Sequence, residues 1–192
     1  MILTGPEIEK QVADGHIHVE PYEPKNVGPN SMDLRLGSQL AVYEEGYNVH
    51  RHGPIVGGVL NWLQPRPLSM RADNTTIPLT IPSEGLVLRP GVLYLGRTVE
   101  QVGTDQFVPM VEGRSSVGRL GMQVHVTAGF CDTGFKGSIT LEITVVHPLR
   151  VFPNERVCQV YFTPPKGEVR LYKGRYQGQV LPTASRMHLA AW

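Results

Sequence analysis

The chain is short of cysteine, short of charge and without a long apolar run, and each shortage removes a class of protein. Two cysteines, Cys131 and Cys158, stand among 192 residues. They are too few for a disulfide framework or a four-thiolate zinc knot, and read as two buried thiols of a reducing compartment. Nowhere do about 18 apolar residues run together, which a membrane-spanning helix requires. The N-terminal MILTGPEIEK lacks the basic region and apolar stretch of an export signal. The expectation is a cytoplasmic protein with no membrane partner. Charged residues are 18% of the chain, below the roughly 25% of an ordinary soluble domain. With 18 Lys and Arg against 17 Asp and Glu, a net charge of +1 supplies no general field for gathering nucleic acid. No nucleic-acid partner is expected, and any anion site must be local.

Glycine and proline, by contrast, are abundant: 21 and 16, spread along the chain rather than gathered in a linker. That punctuation favours many short strands in one domain over residues 1–192. One helix opens the chain. Thr4 and Glu7 have capping-box spacing, Pro6 sits in the first turn, Ile8 and Val12 share a face, and Gly15 stops it. Beyond it, Met32–Leu36, Leu86–Leu88, Val92–Leu95, Gln123–Val126, Ile139–Val146 and Val157–Phe162 read as strands, β-branched or alternating and bounded by Gly, Pro or Asn. The fold class is all-β, a barrel or sandwich capped by a short N-terminal helix. Residues 44–80 read as a long excursion with one or two strands, anchored by Trp62 and Leu63.

Metal-ligand patterns are incomplete. His18-Val19-Glu20 matches the H-x-E half of the zinc deaminase signature, but no P-C-x-x-C completes it, and a strand-borne surface His is the better reading. His50 and His52 lack an evident third ligand and read as a solvated loop. There is no Walker loop or Rossmann fingerprint, and Val117 spoils a G-x-S-x-G elbow starting at Gly113.

Two constellations remain. The run Glu112-Gly113-Arg114-Ser115-Ser116-Val117-Gly118-Arg119 gathers two guanidiniums, two hydroxyls and two glycines. Phosphate oxygens favour such a fork of donors with close backbone approach, although a plain polar turn uses Gly and Ser equally well. The second is Thr127 to Gly137 followed by Ser138-Ile139-Thr140-Leu141-Glu142-Ile143. Strand alternation sends Ile139, Leu141, Ile143 and Val145 one way and Thr140, Glu142 and Thr144 the other. On a solvent face Glu142 is unremarkable; in a cleft beside Arg119, burial and the cation would oppose each other on its carboxyl, as suits a proton-transfer group.

Together, GRSSVGRLGMQVHVTAGFCDTGFKGSITLEI, PNSMDLRLG at Pro29–Gly37, the RPG turn at Arg89–Gly91, NERVCQVYF at Asn154–Phe162 and YKGRYQGQ at Tyr172–Gln179 strongly resemble the dCTP deaminase branch of the trimeric dUTPase-like superfamily. The resemblance implies a distorted jelly-roll barrel, a homotrimer with active sites between subunits, and Mg²⁺ carried on the substrate triphosphate without zinc. It assigns Glu142 as general base toward water attacking C4 of cytosine. Ser115 and Arg119 hold that water and stabilise charge at the base, and the backbone of Ala128 helps place the water. It puts Arg114, Ser116, Val117 and Gly118 at the nucleotide, Arg114 and Ser116 on the triphosphate. Asp132 meets the deoxyribose 3′-hydroxyl, Thr140 and Leu141 flank the pyrimidine, and Gln159, Tyr172, Arg175 and Gln179 reach the nucleotide from later in the chain, with residues 172–192 closing as a lid. Relatives usually carry Lys where this chain has Arg175, a planar fork in place of a point charge.

The first expectation is therefore hydrolysis of dCTP to dUTP and ammonia. The alternative is a bifunctional enzyme that also cleaves the triphosphate to give dUMP and pyrophosphate. TAGFCDTGFKG resembles that type, and Asp132 sits where dUTPases place a water-activating Asp. A dedicated dUTPase fits less well because its Gly-rich phosphate arm is absent from RYQGQVLPTASR. A catalytically idle, nucleotide-binding trimer is opposed by the retention of Ser115, Arg119 and Glu142 together.

Overall fold

The computed structural model describes residues 1–44, 67–125 and 127–189. His50, His52, Trp62, Leu63 and Val126 lie outside the described residues. Helix α1 (Gly5–Ala13) forms where expected, burying Ile8 and ending one residue before Gly15, whose φ of +77° suits a residue without Cβ. The capping box does not form. Thr4 is the N-cap, but its side chain makes no capping bond, and Glu7 instead accepts from Gln11 Nε2 at 2.6 Å. Pro6 at the second helical position removes one of the N–H groups that Thr4 could have capped.

Among the described residues eleven strands follow. They are β1 (Ile17–Glu20), β2 (Met32–Arg35), β3 (Gln39–Tyr43), β4 (Thr76–Thr80), β5 (Leu86–Leu88), β6 (Tyr94–Thr104), β7 (Val108–Gly113), β8 (Met122–Gln123), β9 (Lys136–Val145), β10 (Leu149–Val151) and β11 (Arg156–Thr163). A four-residue helix, α2 (Ser115–Gly118), lies between β7 and β8. The all-β class holds, and the ladders divide into three sheets. The largest runs β4-β3-β6-β9-β8 with β1 also on β6; the others are β2-β11-β7 and β10-β5. Among the described residues these ladders do not close into one continuous barrel. All the pairings are antiparallel.

Alternation builds the core. On β9, Leu141 and Ile143 are fully buried while Thr140 and Glu142 on the other face are half-buried. Leu34 of β2 and Val160 and Phe162 of β11 complete the same apolar cluster from the facing sheet. Strand β6 runs well past Leu95, where the apolar pattern in the sequence stops. Its continuation carries Arg97, Thr98 and Glu100, and Glu100 is completely buried, gripped by Arg35 Nε at 2.6 Å and the Arg35 N–H at 2.8 Å. A paired carboxylate occupies a position that the pattern assigns to an apolar residue.

Beyond β11 the chain returns across β9. Tyr172 N–H donates to Thr133 O, Gly178 N–H to Lys136 O, and Ser138 N–H to Gln179 O. Thr183 N–H reaches Thr140 Oγ1 at 3.3 Å. The segment is thus laid along the N-terminal half of β9. Among the described residues no helix is long and apolar enough to cross a membrane.

Candidate active site

The outer face of β9 floors a cavity of about 430 Å³. Thr140 and Glu142 stand on that floor. Leu95 of β6 and Tyr43 of β3 form one wall, His125, Ala128, Phe130, Cys131 and Asp132 a second, and Tyr172, Tyr176, Gln179, Thr183 and Ser185 of the returning segment the third. Strand register explains the floor. Glu142 pairs with Leu95 across β6, and its N–H donates to Val124 O at 2.8 Å, so Glu142 and the loop after β8 are held together by backbone bonds.

His125, not Arg119, is the base beside Glu142. Its Nδ1 lies 3.8 Å from Glu142 Oε2, an ion-pair contact too long for a good hydrogen bond. The imidazole side chain is only 6% exposed, against 39% for Glu142. Neither ring nitrogen of His125 has a hydrogen-bond partner among the described residues. The imidazole holds the Glu142 carboxyl below its usual range, against burial, which pushes it up. Sequence reasoning missed this residue. Its one signal is the alternation Met122-Gln123-Val124-His125, which puts His125 on the polar side with Gln123, opposite the apolar row.

The expected residues fall into two groups. Glu142, Ala128, Asp132, Thr140, Tyr172 and Gln179 line the cavity together. Leu141 shares the strand, but its side chain is fully buried in the core on the opposite face and does not line the cavity. Arg175 does not line the cavity; it is exposed, with NH1 donating to Arg186 O at 2.7 Å while Arg186 returns a bond to Arg175 O. Tyr176, Thr183 and Ser185 do line it, and the sequence reading passed over them. Cys131 is half-buried rather than fully buried, and burial, then the neighbouring Asp132 charge, push its thiol up to about 12, so it stays protonated.

The second group lies elsewhere on the chain. Arg114 is the N-cap of α2, Arg119 its C-cap, and Ser115, Ser116, Val117 and Gly118 form the turn. None of these lines the cavity, and neither does Gln159 of β11. Ser115, Ser116 and Arg119 are exposed, and a Cβ placed on Gly118 would meet nothing. Arg114 and Gln159 instead share a polar face around Asp33. Arg114 Nε is 3.0 Å from Asp33 Oδ1, Arg156 NH1 is 3.3 Å from Asp33 Oδ2, and Ser31 Oγ donates to Gln159 Oε1 at 3.1 Å. Among the described residues no group of three His, Cys, Asp or Glu side chains is placed to hold a metal ion.

Comparisons with known proteins identify the family. Residues 2–164 match the model of the dCTP deaminase-like family. The chain is 49% identical over 178 residues to a "dCTP deaminase, dUMP-forming" of Leptospira biflexa, covering 92% of this chain and 90% of that one. It is 46% identical to a protein of the same name from Hathewaya histolytica, covering 92% and 91%. Among solved structures, a 2′-deoxycytidine 5′-triphosphate deaminase from Agrobacterium tumefaciens shares the fold, with a TM-score of 0.59 at 21% identity. That match takes in 85% of this chain but spans only about half, 48%, of the other. With Glu142 set in a cavity on β9, and a matched region that runs from α1 through β11, the chain belongs to the dCTP deaminase-like family.

Proposed function

We propose that this protein deaminates dCTP and cleaves the resulting triphosphate, releasing ammonia, pyrophosphate and dUMP. The observation that carries the reading is Glu142, set on the floor of the cavity with its carboxyl held down by His125 while Asp132 lines the same space. The dUMP-forming relatives favour this two-step reading over one that stops at dUTP.

Glu142 is ionised at neutral pH and takes the proton of a water attacking C4 of the cytosine ring. The new C–O bond makes C4 tetrahedral, and Glu142 returns the proton to the exocyclic amine. The C–N bond then breaks, ammonia leaves and the uracil carbonyl forms. A closed lid excludes water around Glu142 and raises its proton affinity toward what this return needs. In the second step Asp132 activates a water toward the α-phosphorus; the new P–O bond replaces the bond to the bridging oxygen, and pyrophosphate departs with Mg²⁺. The cation enters as part of the substrate, on its phosphates.

The remaining groups are supplied by a second copy. Ser115 and Arg119 hold water and charge at the base, and Arg114 and Ser116 meet the phosphates, yet all four lie away from the cavity of their own chain. Exposed Leu120, Phe130 and Val146 offer apolar surface for such an assembly, which we take to be a homotrimer. Gly118, with nothing near its missing Cβ, leaves room for a close approach.

Incubation with dCTP and Mg²⁺, with products resolved over time, tests the proposal. dUMP and pyrophosphate appearing together from the start support it. Steady accumulation of dUTP overturns the second step, and unchanged dCTP overturns both.

A further inference from the structure

We propose that Asp33 is a positioning residue for the phosphate-binding guanidinium of Arg114; the inference rests on the nucleotide reading above and adds a residue to it. Asp33 lies on the outward face of β2, with its side chain 16% exposed, directly across from Gln159 of β11. One carboxylate oxygen takes Arg114 Nε at 3.0 Å and the other takes Arg156 NH1 at 3.3 Å. Arg114 is fixed twice more: its NH1 donates to Arg156 O at 3.3 Å, and its backbone N–H donates to Val157 O at 3.1 Å.

The donor count gives this arrangement its use. A guanidinium carries five N–H groups in a rigid fork. Nε–H is spent on Asp33 and one NH1 hydrogen on Arg156 O, which leaves three donors on the terminal nitrogens uncommitted among the described residues. Gripping Arg114 by Nε sets the plane of the fork while sparing the end suited to a phosphate. Asp33 also settles a charge problem. Arg114 and Arg156 both crowd onto it, and two guanidiniums sharing one patch repel each other. One carboxylate between them offsets that repulsion and holds the two guanidiniums together on this face. Beside it, Gln159 accepts from Ser31 through Oε1, which turns its amide N–H₂ outward as a further donor.

A residue that only steadies the fold and one that aims a phosphate ligand differ in what they discriminate. Asp33→Asn keeps an oxygen for Nε–H but drops the charge. The expected result is a KM for dCTP raised about tenfold with kcat at saturation within about threefold, and a matching loss of inhibition by inorganic triphosphate. Inhibition by dCMP, which lacks the outer phosphates, should change less than about twofold. Equal losses toward dCTP and dCMP, or a kcat that falls as far as KM rises, would overturn the proposal. In the unsubstituted protein, the Nε–H resonance of Arg114, identified by its disappearance in Arg114→Lys, should be resolved and slow to exchange. A resonance averaged with those of exposed arginines overturns the proposal even if Asp33→Asn fails to fold. Absence of dCTP turnover by the unsubstituted protein would count against the parent reading instead, because triphosphate binding and the resonance are read without turnover.

Discussion

Nδ1 of His125 stands 3.8 Å from Oε2 of Glu142 at the floor of the cavity, and the two come from different segments joined by the Glu142 N–H to Val124 O bond. This pairing places an imidazole, itself lacking hydrogen-bond partners among the described residues, against the carboxylate proposed as the general base.

Replacing Glu142 by Gln keeps the shape of the side chain and removes its ability to take a proton. Turnover of dCTP should fall by at least about 10²–10⁴-fold, the usual contribution of one general acid–base group. Calorimetric binding of dCTP should stay within a few-fold. Full turnover by this variant would take Glu142 out of the mechanism.

His125 sets the acid limb of the pH profile. It lowers the Glu142 carboxyl from its usual value, so the stabilising interaction is complete above that value and is lost as pH falls through the lowered one. In His125→Asn the depression disappears and burial alone remains. The acidic midpoint of kcat/KM should therefore move to higher pH. A midpoint that stays in place, or moves down, would show that the ring does not govern this carboxyl.

The proposed sharing of sites between copies predicts rescue between two variants that are each expected to be inactive. Glu142→Gln lacks the base and Arg119→Ala lacks the charge-holding group, so each homo-oligomer is inactive. Unfolded together in equal amounts and reassembled, they should recover about a quarter of full activity, because a random pairing unites an intact Arg119 with an intact Glu142 once in four sites. Sedimentation should report three copies per particle. No recovery from a reassembled mixture would place the whole site within one chain.

Breaking the buried Arg35–Glu100 pair on one side should destabilise the fold. Glu100→Ala leaves the Arg35 guanidinium with only its exposed-side partner, Glu23, at 2.7 Å. Urea unfolding should show a loss of about 3 kcal/mol or more, as for a buried ion pair broken on one side. A change under about 1 kcal/mol would mean that the pair is solvated in solution.

The sequence was informative where pattern and environment coincide. Ile139 to Val145 alternate in the chain and alternate in burial, so both the strand and the outward face of Glu142 followed from spacing alone. It misled where polar groups are satisfied inside. Glu100 helps to conceal the nine residues of β6 beyond Leu95, because its partner, Arg35, lies 65 positions away and is invisible to a local pattern. The capping box at Thr4 fails because the Glu7 carboxylate is taken by Gln11 one turn on, a partner that the Thr4–Glu7 spacing does not show.

For the site, residue types and motifs determined the family and which groups, Glu142 and the Arg114 to Arg119 turn among them, are on hand for the proposed chemistry, since those depend on what the chain owns. Tertiary structure alone decided which of them meet. It set His125 against Glu142, turned Leu141 into the core, brought Tyr176 and Thr183 over the cavity, and left α2 facing away from it. Such meetings depend on strand register and on the path of the returning segment. Both are fixed by long-range backbone bonds and by apolar packing summed over the whole chain, which no local run of residues encodes.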